Sequence, residues 1–263
     1  MRAFHVFLGA CLAMAFDAFG GGWEAAEDLD REIVAPGLSY VQRTALRRSD
    51  GKEVRAHLAL FASQAFRLRV IDLGAGATPR YATIEDAFRD AGVPAGVNGG
   101  FFHPDWRPLG LVISEGRRIH RFETSRLLSG VVYSDERGIH LVRRRQFRDR
   151  AGIDALLQTG PYLVEEGRVV RGLSTSSPRR RTFIATDWRG HWALGATLTP
   201  LTLAELGQCL ASPGALTDWT TDRAINLDGG SSTGFFFDPG AGQEPVLLRP
   251  LGRVRNLLGI LPR

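Results

Sequence analysis

The sequence predicts an α+β fold, a mixed and mostly antiparallel β-sheet with a few packed helices, and three observations carry that prediction. Short runs rich in β-branched and aromatic residues recur along most of the chain. Clusters joining an acidic residue to glycine punctuate those runs, as hairpin turns do. Only two segments carry a helix start signal, too few for an all-helical or a regularly alternating α/β chain.

Taken in order, Ala56 to Phe61 and Phe66 to Leu73 alternate apolar and polar residues, the pattern of half-buried strands. Thr83-Ile84-Glu85-Asp86 opens a helix that closes near Gly92, with Ala87 and Phe88 on its apolar side. Four turns come after it: Ser114-Glu115-Gly116, Ser134 to Gly138, Glu165-Glu166-Gly167 and Thr186 to Gly190. Apolar runs flank each of them, so each reads as a hairpin. Their spacing is uneven, which excludes a solenoid or propeller. Thr202-Leu203-Ala204-Glu205 is a capping box that opens the second helix, with Leu203, Leu206 and Leu210 on one face. Each helix leads to a strand that breaks into glycines.

The 263 residues suffice for one sizeable core, with 44% hydrophobic and 23% charged residues as in ordinary globular proteins. Lys52 is the only lysine, so the basic residues are otherwise arginines, and the net charge of +5 suits an anionic partner. Local runs occur at Arg143-Arg144-Arg145, read as a solvated sheet face, and at Arg179-Arg180-Arg181. The N-terminus has the order of a secretory signal: Arg2, an apolar run from Ala3 to Phe16 broken only by His5, then Ala18 and Gly20 to Gly22. Residues 1–22 are therefore expected to be a signal peptide or N-terminal hydrophobic segment, and 23–263 a single domain. The expected location is periplasmic or secreted, with anchoring by an uncleaved N-terminus or a lipidated Cys11 as the alternative. No stable membrane span is expected after cleavage, because the apolar run is short and Asp17 interrupts it. Cys209, in an apolar helical stretch, is expected to pack rather than react.

The chemistry concentrates in two glycine clusters, Val97-Asn98-Gly99-Gly100-Phe101-Phe102-His103 and Ala224-Ile225-Asn226-Leu227-Asp228-Gly229-Gly230-Ser231-Ser232-Thr233-Gly234. Paired glycines let main-chain N–H groups approach a ligand with no Cβ in the way. Asp228 is the candidate carboxylate, with Ser231, Ser232 and Thr233 as neighbouring donors. Asn98 is placed to hold a substrate hydroxyl, to orient Asp228, or to satisfy turn backbone. His103 is a candidate acid or base near neutral pH, or an idle loop histidine before Pro104. His57, His120, His140 and His191 read as structural or surface residues. Gly230-Ser231-Ser232-Thr233-Gly234 matches a nucleophile elbow in letters only, since an aromatic strand comes next and no histidine occurs after His191. No Cys/His cluster supports a metal, no cofactor is expected, and no nucleic-acid module is present.

Asn98-Gly99-Gly100-Phe101-Phe102 and Asn226-Leu227-Asp228-Gly229-Gly230-Ser231-Ser232 resemble the paired motifs of the phosphodiester glycosidase domain. Thr159-Gly160-Pro161-Tyr162-Leu163-Val164, Arg181-Thr182-Phe183-Ile184-Ala185 and the Thr202 to Leu206 helix start resemble further segments of that family, in matching order. The family usually carries three glycines after the aspartate, where this chain has two. The resemblance implies an exported hydrolase cleaving a glycosidic bond between a sugar and a phosphodiester-linked group, acting on a carbohydrate or sugar-phosphate substrate. It implies a site with Asp228, Asn98 and His103 as catalytic residues. Around them Gly99, Gly100, Gly160, Arg181, Thr182, Asn226, Gly229, Gly230, Ser231 and Ser232 would contact substrate, with Arg181 gripping the phosphate. The alternative is a non-catalytic envelope protein that binds glycan or anionic polymer in the same groove.

Overall fold

The computed structural model describes residues 22–74, 76 and 80–263. The expected signal segment, Cys11 included, lies outside the described residues, apart from Gly22. The chain opens with three long strands, β1 (Trp23–Ala35), β2 (Leu38–Arg47) and β3 (Glu53–Ala62), followed by β4 (Phe66–Asp72), helix α1 (Ile84–Asp90) and β5 (Ala95–Asn98). Hairpins come next: β6 (Val112–Ser114) with β7 (Arg117–His120), and β8 (Gly130–Asp135) with β9 (Gly138–Arg143). After β10 (Ile153–Thr159) the chain pairs β11 (Tyr162–Glu165) with β12 (Arg168–Val169), and β13 (Thr182–Thr186) with β14 (His191–Thr197). Helix α2 (Leu203–Ala211) then leads to β15 (Arg223–Asn226), β16 (Phe235–Phe237), β17 (Val246–Leu248) and β18 (Asn256–Pro262).

All four expected hairpins form. The β6–β7 and β11–β12 turns place both central residues in the left-handed region, Glu115 and Gly116 at φ 52° and 71°, Glu166 and Gly167 at 52° and 73°. That twist matches the right-handed twist of the flanking strands. Both helices start on the expected threonines, each with a complete capping box: Thr83 with Asp86 and Thr202 with Glu205.

The strands make three sheets, ordered β1-β2-β3-β14-β13-β15-β11-β12, β7-β6-β10-β8-β9 and β17-β16-β5-β18-β4. Among the described residues every ladder is antiparallel, so the expected mixed sheet is corrected, and the fold is predominantly β with two short helices. The reason lies in what fills the gaps. A helical crossover from β4 through α1 to β5 brings the chain back in the same direction, but β18 inserts between those strands. β13 likewise lies between β14 and β15, on either side of the α2 crossover.

The core sits where the three sheets meet. Alternate residues of one strand serve different layers: Ile184 points into the central cluster with Tyr162, Ile225 and Phe235, while Phe183 and Ala185 pack against Leu206, Cys209 and Leu210 of α2. Cys209 is thus buried packing, and burial raises its thiol pKa. Phe236 faces outward from its sheet and stacks on Phe88 of α1, ring centroids 5.2 Å apart. Gly96 permits that approach, because a Cβ there would fall 2.3 Å from the Phe88 ring. Each such buried aromatic contributes roughly 1.5–3 kcal/mol. Arg143 departs from the solvated-face reading: its guanidinium donates to both carboxylate oxygens of Glu165 at 2.8 and 2.6 Å and lies 4.3 Å from the centroid of the Tyr162 ring.

His57 bridges sheets. Its Nδ1 lies 2.8 Å from the Tyr40 hydroxyl, and its ring stacks on Phe235. Burial pushes its pKa down to about 4. The unfolded chain, with an ordinary histidine near 6.5, binds this proton between roughly pH 6.5 and 4 while the folded chain does not. The His57 contribution to stability is therefore complete above that window and declines as pH falls through it. Urea titrations from pH 7 to pH 4.5 should show a steeper loss for wild type than for His57→Gln. Equal slopes would assign the acid sensitivity to other groups.

Candidate functional site

Three buried asparagines stand at strand ends, Asn98 closing β5, Asn226 closing β15 and Asn256 opening β18, each at most 2% exposed. The strands supply rigid backbones and the asparagines join them. Asn98 Nδ2 donates to the Asp228 carbonyl at 2.7 Å. Its Oδ1 accepts from the Thr182 hydroxyl at 2.7 Å and from Gly234 N–H at 3.0 Å. Asp228 N–H in turn donates to the Gly99 carbonyl at 3.1 Å. The two glycine clusters, about 130 residues apart in sequence, are therefore in direct contact.

Asn256 completes the frame. Its Oδ1 accepts from Gly100 N–H at 2.7 Å, and its carbonyl accepts from Gly99 N–H at 2.8 Å. A Cβ on Gly99 would lie 2.0 Å from that Oδ1, so only glycine fits. Asn226 Nδ2 donates to the Gly160 carbonyl at 3.0 Å, while Thr159 Oγ1 donates to the Asn226 carbonyl at 2.9 Å. Three buried polar atoms around this frame, Asn226 Oδ1, Thr233 Oγ1 and Asn256 Nδ2, have no protein partner. Unpartnered buried polar groups are costly and concentrate at functional sites.

Asp228 sits at the exit of this frame, partly exposed. Burial raises the pKa of its carboxyl, opposed first by the Ser232 hydroxyl and then by Gly229 N–H, which donates to Asp228 Oδ1 at 2.9 Å. Ser232 lies in a 3₁₀ turn, Gly230–Ser232, that runs straight into β16, with no helix after it. Gly230 is left-handed at φ 66°, and its N–H donates to the Arg180 carbonyl at 2.8 Å. Ser231 is exposed, and its carbonyl accepts from Leu251 and Gly252 N–H groups.

The other expected site residues fall in three situations. Thr182, Gly100, Gly160 and Asn226 belong to the buried frame. Arg181 faces inward: Nε donates to the Leu201 carbonyl at 2.7 Å and Nη2 to the Ser177 carbonyl at 3.1 Å. Its planar fork is thus spent on main chain, which differs from the expected grip on a phosphate. His103 is half-buried in the loop after Phe102, held by its main chain to Arg107, and borders a shallow depression with His120 and Arg121. Among the described residues no hydrogen bond ties it to Asp228. Asn256 was missed from sequence. A signal for Asn256 did exist, since it heads the buried run Leu257 to Leu261 as Asn98 and Asn226 end theirs. No group of three or more potential metal-ligating side chains occurs among the described residues. No helix among them is long and apolar enough to cross a membrane.

Every residue of this frame lies within the stretch 91–261 that matches the phosphodiester glycosidase family model. The chain belongs to that family. Solved structures with the same fold include a hypothetical protein from Synechocystis, 17% identical over 93% of this chain and 68% of that one, TM-score 0.62. They also include the zebrafish N-acetylglucosamine-1-phosphodiester alpha-N-acetylglucosaminidase catalytic domain auto-inhibited by its pro-peptide. That domain is 15% identical over 93% of this chain and 89% of its own, TM-score 0.61. At such identities the likeness is one of fold. No curated protein sequence matches the chain.

Gly99→Ala should disrupt fold and site together, since the added methyl displaces the Asn256 amide and with it the Gly100 contact. The expected cost is about 1–3 kcal/mol in urea denaturation, as for other overpacked sites. An unchanged midpoint would mean that the Asn256 amide moves aside freely.

Proposed function

We propose that the chain hydrolyses the glycosidic bond of a sugar-1-phosphodiester, releasing the free sugar and a phosphate monoester. The observation that carries this reading is Asp228, a partly exposed carboxylate whose main chain is clamped on both sides by Asn98 and Gly99. Breaking the bond at the anomeric carbon develops positive charge there, which a fixed carboxylate stabilises. The leaving phosphodiester oxygen departs as a stable anion and needs little protonation, so the second carboxylic acid of ordinary glycosidases is dispensable. Water supplies the new hydroxyl on the sugar, and the net proton passes to solvent. Asn98 works through the main chain of Asp228 and is a positioning residue. Ser232 and Gly229 N–H hold the carboxylate oxygens and favour the ionised form. Family membership and the zebrafish neighbour support the substrate class. Periplasmic or secreted location belongs to the same proposal, supported by the N-terminal order of charge, apolar run and small residues. N-terminal sequencing of protein from its native cell should begin near residue 22. An intact Met1 in a cytoplasmic fraction would refute export.

The test is turnover of a panel of sugar-1-phosphodiesters. Asp228→Asn should lower kcat by about 10³-fold or more while KM changes little, because the amide keeps the shape and loses the charge. Wild-type turnover by Asp228→Asn would remove Asp228 from the chemistry. Binding without turnover by wild type would establish the binding-protein alternative. The rate should fall as Asp228 takes up a proton, and burial places that fall above the ordinary aspartate pKa. Ser232→Ala removes a donor that favours the charged form, so its acid limb should move to higher pH. A limb that stays in place would exclude the Ser232 contact as a determinant.

A further inference from the structure

We propose that Arg179, on the exposed lip of the Gly229-Gly230 turn, grips the two non-bridging phosphate oxygens of the substrate, while Arg181 behind it only frames the turn. This inference rests on the hydrolase reading above and names the residue that recognises the phosphate in it.

Several arginines that approach the interior end on carboxylates. Arg47 pairs with Asp50 and Glu205, Arg143 with Glu165, and Arg255 with Asp72. The run Arg179 to Arg181 forms no such pair among the described residues. Arg181 is spent on two carbonyls. Arg180 has a buried Nη2 without a partner. Arg179 is exposed, and its guanidinium has neither ion pair nor hydrogen bond among the described residues.

The base of Arg179 is nevertheless fixed. Its N–H donates to the Leu201 carbonyl at 3.0 Å, and its own carbonyl accepts from Leu201 N–H at 2.8 Å. Its stem crosses the turn that carries Asp228: a Cβ built on Gly230 would lie 3.4 Å from Arg179 Cδ and 3.9 Å from Nη1. A side chain at position 230 would therefore crowd the stem of Arg179. Burial, and next the nearby Arg179 charge, depress the proton affinity of Arg181. Positive charge thus accumulates between Arg179 and Arg181 at this turn, and a bound anion would relieve it. A free arginine fork matches two oxygens of one phosphate, and the stem of this one lies beside Gly230, two residues along the turn from Asp228. A sugar-1-phosphate would then lie with its anomeric carbon at the carboxylate and its phosphate toward the guanidinium.

The experiment uses the mature chain and three proteins: wild type, Arg179→Ala and Arg179→Lys. Each is assayed on the best sugar-1-phosphodiester of the panel and on the p-nitrophenyl glycoside of the same sugar. Inorganic phosphate binding is measured separately by calorimetry. Arg179→Ala should lose about 10²-fold or more in kcat/KM on the phosphodiester, a typical loss for one oxyanion donor, and only a few-fold on the aryl glycoside. Arg179→Lys should recover part of the loss, and phosphate binding should vanish in Arg179→Ala. Because the guanidinium makes no hydrogen bond or ion pair among the described residues, both variants should keep the wild-type urea midpoint. Equal losses on the two substrates, or unchanged phosphate binding in Arg179→Ala, would overturn the assignment. If wild type cleaves neither substrate yet binds phosphate through Arg179, the hydrolase reading fails and the anion site stands.

Discussion

The side-chain amide of Asn98 is the contact on which the site depends. One amide, 1% exposed, holds the Asp228 carbonyl, the Thr182 hydroxyl and the Gly234 N–H at once. Those groups stand at strand ends in two different sheets, β13 and β15 in one and β16 in the other, which also carries Asn98 at the end of β5. Chain connectivity cannot hold such ends together, because each lies next to a turn. A planar group with a donor on one atom and an acceptor on the other can, provided it is dry and cannot exchange its partners for water. The geometry of Asp228 is therefore a property of the frame rather than of its own turn.

The frame divides labour between residues that look interchangeable in sequence. Asn98, Asn256 and Arg181 each hold main-chain groups and make the surroundings rigid. Asp228, Ser231 and Arg179 retain exposed polar heads on fixed bases. Preorganisation of this kind lets a site stabilise developing charge without reorganising at the moment of reaction. Three unpartnered buried polar atoms next to it cost stability, which the clusters around Phe236 and Ile184 supply.

Much of the architecture was legible because its causes are local. The four hairpins arise from glycine at turn positions with positive φ, and both helix starts arise from threonine caps. Burial alternates along the first half of β3 and of β4 with the period of two expected of strands. Strand partners were not legible, since β18 enters between β4 and β5 from the far end of the chain. The helix-then-strand pattern pointed to a mixed sheet, and the inserted strands made each neighbour antiparallel instead. Arg181 shows the same limit at the site. Arginine next to a family-like threonine reads as a phosphate ligand, yet the carbonyls of Ser177 and Leu201 happen to lie within its reach.

By itself the sequence determined which residues turn, cap and alternate, and that an aspartate would stand in a glycine turn at a strand end. Those properties depend on backbone sterics and on neighbours within a few positions. Tertiary structure alone decided by which bonds the Asn98 and Asp228 clusters touch, that Asn256 closes the frame, and that Arg181 rather than Arg179 is bonded to main-chain carbonyls. These outcomes depend on distances between atoms far apart in the chain, which are set only when three sheets pack on a common core.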